Sequence, residues 1–246
     1  MLILLTNDDG VEAFGLLSMK KELSKIGEVW VVAPSGEQSG VSHSLTLQRP
    51  LELKKIGNRV FSVDGTPTDA VMIAVFGILK RKPDLVVSGI NHGPNLGEDV
   101  TYSGTVAGAI EGTVLGIPSI AASLVDFKSG SFEVGAKFVK KVALFAGQNG
   151  LPEDTLLNVN LITPKGKIKG YAITSLDKTK VKKVKMKKVE NRGKSFVWIG
   201  EQDITFSKKR GTDFYAIKQG LVSITPLQID FTNYQVIDKI KSWKIL

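Results

Sequence analysis

The chain has 246 residues, of which 42% are hydrophobic and 23% charged, and its formal net charge is +9. These values are ordinary for a soluble globular protein, and the length fits one large domain or a domain with an appendage. The lack of cysteine excludes disulfides, thiolate catalysis and cysteine-ligated zinc or iron–sulfur sites. The apolar start at 1–5 is too short for a signal peptide, and no segment approaches the ~20 apolar residues of a membrane span. We therefore expect a cytoplasmic protein without a membrane partner.

Almost all of the positive charge lies in one segment, residues 178–194. Nine basic residues there face Glu190 alone, so the segment carries +8 of the total and the rest of the chain is nearly neutral. The basic residues are Lys178, Lys180, Lys182, Lys183, Lys185, Lys187, Lys188, Arg192 and Lys194. A lysine-rich strand is typical of a solvated sheet edge protected against aggregation, and we favour that interpretation over a binding patch for nucleic acid.

The first two-thirds of the chain alternates strand and helix signals, which predicts a largely parallel α/β sheet. Thr66, Pro67 and Asp69 form a helix start, and Ser103 opens a helix rich in glycine and alanine. In chain order the predicted elements are a strand at 2–5, a helix over about 16–26, a strand at 29–33, a loop at 35–44, strands near 45–53 and 60–63, a helix over 66–80, a strand at 85–87, a polar stretch at 90–102, a helix from 103, a strand at 118–123, a helix over about 132–145 and a strand at 155–162.

Beyond about residue 165 the alternation weakens. Strand-like segments at 181–189 and 195–199 predict a hairpin, 221–224 predicts a late strand, and a capping box at 232–235 predicts a final helix. We expect one α/β domain over 1–246, with a core at about 1–174, a basic hairpin extension at about 178–200, and a strand and helix at about 211–246.

Oxygen-bearing side chains lie in loops that follow three of the predicted strands. Asp8 and Asp9 come directly after the first strand, Ser39 follows the second, and Asn91 and Asn95 follow a later one. The carboxyl ends of parallel strands share one sheet edge, so these loops can converge. Adjacent carboxylates repel each other unless a cation lies between them, and oxygen ligands favour Mg²⁺, Mn²⁺ or Ca²⁺ over zinc or copper. The alternative interpretation is ordinary turn chemistry.

The segment Ser103-Gly104-Thr105 predicts an anion site. A helix opening at Ser103 would direct its unpaired backbone amides, its dipole and two hydroxyls to one place, where a phosphate could bind. The alternative is a serine that only caps the helix. A metal site beside an anion site is the arrangement that phosphoester hydrolysis needs.

Other catalytic motifs are missing from the sequence. It contains neither a G-x-x-x-x-G-K-[ST] loop nor G-x-G-x-x-G after the first strand, which argues against a P-loop nucleotide site and against a dinucleotide cofactor. The only histidines, His43 and His92, lie in candidate loops without a recognisable orienting partner. We interpret them as loop hydrogen bonders or auxiliary proton donors, not as nucleophiles.

A set of ordered motifs across nearly the whole chain resembles the SurE family (survival protein E) of 5'-nucleotidases. The motifs are Thr6-Asn7-Asp8-Asp9-Gly10, Val31-Val32-Ala33-Pro34 followed by Gln38-Ser39-Gly40, Gly65-Thr66-Pro67-Thr68-Asp69, Ser88-Gly89-Ile90-Asn91-His92-Gly93-Pro94-Asn95, Tyr102-Ser103-Gly104-Thr105-Val106 and Ser223-Ile224-Thr225-Pro226-Leu227. The segment 178–210 matches no motif of the family.

The resemblance implies a Rossmann-like, three-layer α/β fold and a metal-dependent phosphatase of nucleoside monophosphates, with 3'-nucleotides and short polyphosphate as further substrates. It implies a homodimer or homotetramer that exchanges C-terminal segments. One divalent cation per subunit, Mg²⁺ or Mn²⁺, would be bound by Asp8, Asp9, Ser39 and Asn91. The phosphate-contacting positions of the family match Asn95, Ser103, Gly104 and Thr105.

Two chemical routes and one other function class stay open at this stage. We favour a water nucleophile activated by the metal, with Asp8 or Asp9 accepting its proton, over attack by one aspartate to form an aspartyl-phosphate. The competing function is a non-catalytic nucleotide- or RNA-binding protein that uses the basic segment at 178–194. We expect a small nucleotide as the partner and not nucleic acid, because the segment is poor in aromatic residues and far in sequence from the oxygen-bearing loops.

Overall fold

The fold is built from short strands and helices that alternate along most of the chain. The structure is a computed structural model that describes residues 1–126, 131–192, 194–207 and 209–243. The strands are β1 (Leu2–Thr6), β2 (Glu28–Pro34), β3 (Leu53–Gly57), β4 (Val60–Val63), β5 (Leu85–His92), β6 (Ser119–Leu124), β7 (Thr155–Leu161), β8 (Tyr171–Ile173), β9 (Thr179–Asn191), β10 (Lys194–Phe206) and β11 (Val222–Gln228). The α-helices are α1 (Phe14–Leu23), α2 (Pro67–Ile73), α3 (Gly104–Val114), α4 (Phe132–Asn149), α5 (Asp213–Lys218) and α6 (Ile237–Lys241).

One mostly parallel sheet carries the fold, with strand order β3-β4-β2-β1-β5-β6-β7-β11-β8. β1 lies between β2 and β5 and is parallel to both. Antiparallel pairs join β3 to β4 and β11 to β7, away from β1. Parallel neighbours need crossovers through helices, so the carboxyl ends of β1, β2 and β5 meet at one edge. The predicted α/β class with a mostly parallel sheet and a hairpin is confirmed.

Helices cover both faces of the sheet, which makes it the middle of three layers. Ile3 packs with Leu16 of α1 and Val139 of α4 on one face. Leu4, the next residue of β1, packs with Val71 of α2 on the other face. α3 lies beside α2 and packs its own apolar residues against β6 and β7. Burial on both faces is why the central strands are nearly continuous apolar runs.

The structure differs from the predicted elements mainly in the connections. The predicted strand at 45–53 is wrong except at its last residue, because side chains take the place of a strand ladder there. Asp69 accepts hydrogen bonds from the backbone amide and the hydroxyl of Thr46 at 2.8 and 2.7 Å, and Thr66 donates to the carbonyl of Ser44. The same Thr66 and Asp69 form the predicted capping box of α2, so the start of this helix holds the loop.

The final helix is shorter than predicted, and two short elements, β8 and α5, were not predicted. The predicted capping box at 232–235 is wrong, since α6 begins after Val236 and has no side-chain cap. Phe231, Tyr234 and Trp243 of this region are 88%, 66% and 59% exposed. The three-residue strand β8 and the six-residue helix α5 are too short for periodicity to reveal.

The basic segment forms a long hairpin, as predicted. β9 and β10 pair antiparallel in a two-stranded sheet of their own, and β10 bears exposed Phe196, Trp198 and Ile199. An isolated hairpin is marginally stable in water.

In the part of the chain that the structure describes, no helix is long and apolar enough to cross a membrane.

Candidate active site

Three loops and one helix start converge at the carboxyl edge of the sheet. The backbone amide of Gln38, in the loop after β2, donates to the carbonyl of Asp8 at 2.7 Å. The backbone amide of His92, at the end of β5, donates to Oδ2 of Asp9 at 3.3 Å. The hydroxyl of Thr105, in the first turn of α3, donates to Oδ1 of Asp8. The predicted convergence of the loops that follow three strands is thus observed, and the first turn of α3 joins them at Asp8.

Asp8 is the most deeply buried acid of this group, with 4% of its surface exposed. A Cβ atom on Gly104 would lie 2.8 Å from Cβ of Asp8 and 3.2 Å from the carbonyl oxygen of Gln38. Only glycine therefore allows α3 to approach Asp8 this closely. Burial raises the pKa of Asp8 to about 6; the Thr105 hydrogen bond opposes the rise, and the negative charge of Asp9 adds to it.

Asp9 is more accessible and has a histidine partner. Nδ1 of His92 lies 3.2 Å from Oδ2 of Asp9, and the imidazole packs edge-on against Phe132 with ring centroids 4.8 Å apart. Burial raises the pKa of Asp9, and the neighbouring His92 lowers it. The charge of Glu37 adds to the rise, which makes Glu37 a third acid near the pair. The sequence patterns predicted neither the contact between His92 and Asp9 nor the presence of Glu37 near the two aspartates.

Ser39 and Asn91 lie one residue away from contacts to the aspartates. Ser39 follows Gln38, and its exposed hydroxyl donates to Oε1 of Glu37 at 2.9 Å. Asn91 precedes His92, and its Nδ2 donates to the carbonyl of Gly93 at 3.0 Å, which directs Oδ1 away from Gly93. The structure therefore places the backbone of both residues at the edge that holds Asp8 and Asp9, whereas the side-chain hydrogen bonds recorded for them go to Glu37 and Gly93.

The donor set fits a hard divalent cation. Two adjacent carboxylates whose pKa values are both raised by burial gain from a positive charge between them, and hydroxyl and amide oxygens complete an oxygen-only set. Across residues 1–126, 131–192, 194–207 and 209–243, no group of three His, Cys, Asp or Glu side chains could hold a metal ion. A cation here would thus depend on the neutral oxygens of Ser39 and Asn91.

The start of α3 has the kind of groups with which a helix can bind an anion. Ser103 caps the helix by accepting a hydrogen bond from the amide of Val106 at 3.1 Å. The amides of Gly104 and Thr105 have no partner within the helix, and its dipole places partial positive charge at this end. Ser103 therefore has the capping role considered as the alternative, and the amides beside it point to the edge where Asp8 lies.

Asn95 sits deeper than a surface ligand would. It is buried, and its Nδ2 donates to the hydroxyl of Ser123 at 2.7 Å. Its backbone contacts Asn158 and Asn160 of β7. Sequence patterns missed Ser123, Asn158 and Asn160, although two asparagines in an otherwise apolar strand are an available signal, because buried amides need partners.

His43 has an acidic partner as well. Its Nε2 lies 2.7 Å from Oε2 of Glu111, a buried residue of α3. The expectation that neither histidine has an orienting partner is therefore wrong for both, because each partner comes from a segment distant in sequence.

A cavity of about 660 Å³ opens beside Ser103. The loop after β2 contributes Ser42 and His43 to its wall, α3 contributes Ser103 and Ile110, and β11 contributes Leu227. The loop and the first turn of α3 that surround Asp8 thus also line this cavity. Its volume and mostly apolar walls are typical of small-molecule sites.

Comparison with known proteins identifies the family. Residues 3–183 match the family model "Survival protein SurE". The chain is 48% identical to 5'-nucleotidase SurE of Geotalea uraniireducens over the full length of both proteins, and 46% identical to that of Legionella pneumophila over 98% of this chain and 96% of the relative. The crystal structure of the SurE protein from Aquifex aeolicus superposes with a TM-score of 0.84 at 44% identity and covers 98% of both chains. The chain therefore belongs to the SurE family.

Proposed function

We propose that this protein is a metal-dependent phosphomonoesterase that hydrolyses nucleoside 5'-monophosphates to nucleoside and phosphate. The observation that carries the proposal is the contact between the buried carboxylate of Asp8 and the first turn of α3, which supports a cation site next to an anion site. Relatives that match the chain over their full length bear the name 5'-nucleotidase SurE. The proposal includes 3'-nucleotides and short polyphosphate as secondary substrates.

We propose one divalent cation per subunit, Mg²⁺ or Mn²⁺, held by Asp8, Asp9, Ser39 and Asn91. When bound, such an ion neutralises charge on a phosphoryl oxygen and lowers the pKa of water near it. The raised pKa values of both aspartates in the metal-free chain support this assignment, because ligation would relieve the cost of burying them ionised.

The residues around the ion would orient the phosphate and move a proton. The amides of Gly104 and Thr105 and the hydroxyl of Ser103 would hold phosphoryl oxygens. The amide of Asn95 would contribute once it turns, so that the Ser123 hydroxyl donates to Oδ1 and Nδ2 faces the phosphate. A water oxygen bonds to phosphorus while the bond to the ribose oxygen breaks. Asp8 or Asp9 takes the proton that water loses; the leaving ribose oxygen takes a proton from solvent, to which the aspartate then returns its own.

The competing route uses one aspartate as the nucleophile. Its carboxylate oxygen would bond to phosphorus and release the nucleoside, and water would then hydrolyse the aspartyl-phosphate. Rapid quenching followed by mass analysis distinguishes the routes, since a phosphorylated peptide containing Asp8 or Asp9 would contradict direct attack by water.

The cavity beside Ser103 suits the nucleoside part of the substrate. A phosphate at the start of α3 would lie on one side of Ser103, and the ribose and base could extend into the cavity on the other side. Apolar walls select by shape and bury the base without reading its hydrogen-bonding edge, so we propose that several bases are accepted.

We also propose a homodimer or homotetramer in which C-terminal segments are exchanged. The exposed Phe231, Tyr234 and Trp243 support this, because aromatic side chains are enriched at protein interfaces. Light scattering of the full chain measures the assembly, and a monomer at micromolar concentration would contradict it.

The decisive experiment is phosphate release from a panel of 5'-, 3'- and 2'-nucleotides and short polyphosphate, with EDTA and with each divalent metal added back. We expect the highest kcat/KM for 5'-nucleotides, loss of release in EDTA and recovery with Mn²⁺ or Mg²⁺. The variant Asp9→Asn should lose a charged ligand and most of the activity. No metal-dependent release from any substrate would overturn the proposal.

A non-catalytic role in binding nucleotides or RNA is the second candidate. The exposed Phe196 and Trp198 on the lysine-rich hairpin favour it, since aromatic and basic side chains together bind single strands. Such binding would weaken steeply with salt and would survive Asp9→Asn. Absence of both nucleotide and RNA binding to Asp9→Asn at low salt would exclude it.

A further inference from the structure

Two buried asparagines behind the candidate active site need an explanation. Asn158 and Asn160 lie on β7, and neither is accessible to solvent. An amide buried without partners costs about 1–3 kcal/mol. Neither residue touches Asp8 or Asp9 through a hydrogen bond that the described part of the chain shows. Their common partner is the backbone of Asn95.

Asn160 pairs with both backbone groups of Asn95. Its Nδ2 donates to the Asn95 carbonyl at 2.9 Å, and its Oδ1 accepts from the Asn95 amide at 2.8 Å. This is the pairing that a neighbouring strand would provide, made by a side chain. Asn158 donates to the same carbonyl at 2.8 Å. Three hydrogen bonds thus fix the backbone of one loop residue.

That residue is the middle of the loop that follows β5. Asn91 and His92 are the last two residues of β5, where they pair with Ser123 and Leu124 of β6, and His92 contacts Asp9. The amide of Gly93 donates to the carbonyl of Leu124 at 3.0 Å, and the amide of Gly97 donates to Asp213 at 2.8 Å. Both ends are thus tied to the body of the protein, and the asparagines of β7 hold the centre.

We propose that Asn160, assisted by Asn158, is a positioning residue that holds the loop at 93–97 and, through it, the end of β5, where Asn91 lies and His92 contacts Asp9. This inference rests on the proposed function, in which Asn91 is a ligand of the divalent cation. Residues that orient metal ligands from behind typically change metal affinity or activity by about 10–100-fold when replaced.

The test compares Asn160→Leu and Asn160→Asp with Ser223→Ala. Ser223 lies opposite Asn160 on β11, is fully buried and bonds the hydroxyl of Thr174 at 2.7 Å, so its variant also loses a buried hydrogen bond but does not touch the loop. Asn160→Asp keeps the volume and the acceptor and, when ionised, loses the donor to Asn95. Asn158→Leu, which removes only one of the three hydrogen bonds, keeps the test valid if the Asn160 variants fail to fold. Three readouts are measured: hydrogen exchange of the amides at 93–97, Mn²⁺ affinity from thermal-shift titration, and kcat and KM.

We expect both Asn160 variants to show exchange at 93–97 about tenfold faster, Mn²⁺ affinity weaker by about tenfold or more, and a larger loss in kcat than in KM. Asn158→Leu, which removes one bond, should change less, and Ser223→Ala should stay within about twofold of the wild type. Unchanged exchange at 93–97, or Mn²⁺ affinity equal to that of Ser223→Ala, would overturn the inference. A wild-type protein without metal-dependent phosphate release would refute the proposed function instead, and the exchange readout would still decide whether Asn160 holds the loop.

Discussion

Replacement of Asp8 by asparagine is expected to stabilise the metal-free protein while abolishing its activity. Burial raises the pKa of Asp8 from 3.8 to about 6, so at neutral pH the folded chain holds an ionised carboxylate that is better solvated in the unfolded chain. Each pKa unit corresponds to ~1.4 kcal/mol, so the rise represents about 3 kcal/mol of lost stability. Asn has nearly the same size and keeps an acceptor for the Thr105 hydroxyl. The variant should therefore recover up to that amount.

The pH dependence gives the expected gain a sign and a window. The pKa of Asp8 is higher in the folded chain than in the unfolded chain, so the folded chain binds more protons between pH 3.8 and about 6. The contribution of Asp8 to the free energy of unfolding of the wild type therefore falls as the pH rises through this range. The gain in Asp8→Asn should be near zero at the acid end of this window and complete above it. Urea denaturation in EDTA across the window measures the free energy of unfolding of both proteins.

Asp84 provides a matched control of opposite sign. Hydrogen bonds from Arg81 and from the amide of Leu2 lower the pKa of Asp84 to about 2. Asp84→Asn should therefore lose stability at neutral pH, where Asp8→Asn gains it. Saturating Mn²⁺ should stabilise the wild type and not Asp8→Asn. Equal or lower stability of Asp8→Asn in EDTA at neutral pH would refute the reasoning about Asp8.

Two further predictions concern the helix start beside this carboxylate. Gly104→Ala puts a Cβ 2.8 Å from Cβ of Asp8, so kcat should fall by about tenfold or more and stability by about 1–3 kcal/mol. Gly77→Ala, where a Cβ would meet nothing within 4 Å, is the control, and an equal loss there would contradict the steric argument. Thr105→Val removes the hydrogen bond that lowers the pKa of Asp8, so the acidic limb of the pH–rate profile should move to higher pH. An unmoved limb would show that this hydroxyl does not set the protonation of Asp8.

The sheet and the loops at its edge could be predicted because local patterns determine them. Continuous apolar runs at 2–5 and 85–87 indicate strands buried on both faces, and parallel pairing then requires their carboxyl ends to meet. Asp8 and Asp9 follow such a run directly, so their place at the edge follows from the strand alone. The loop at 45–52 could not be predicted in this way, because its backbone is held by Thr66 and Asp69 of the next helix.

The partners of the site residues lie beyond what local pattern contains. Asn158 and Asn95 are 63 positions apart, and His92 and Asp9 are 83 apart. A polar residue in an apolar strand indicates that a partner exists, but the topology of the sheet decides which segment supplies it. The strand order places β1 on one side of β5 and β6 and β7 on the other. Residues from both sides can therefore contact the segment at the end of β5.

This placement explains why buried polar side chains, which lower the stability of the fold, lie on both sides of one loop. Asp8, buried and ionised, lies on the β1 side, and the two asparagines of β7, whose amides require partners in the interior, lie on the other side. Either feature alone would make the fold less stable than an apolar replacement of the same volume. The loop after β5 is bonded to Asn158 and Asn160 on the β7 side, and His92, directly before this loop, contacts Asp9 on the β1 side. The proposed site, which would hold oxygen atoms at set positions around a cation and a phosphate, requires both conditions, because a segment that was free to move toward the aspartates would relieve their charge without a metal.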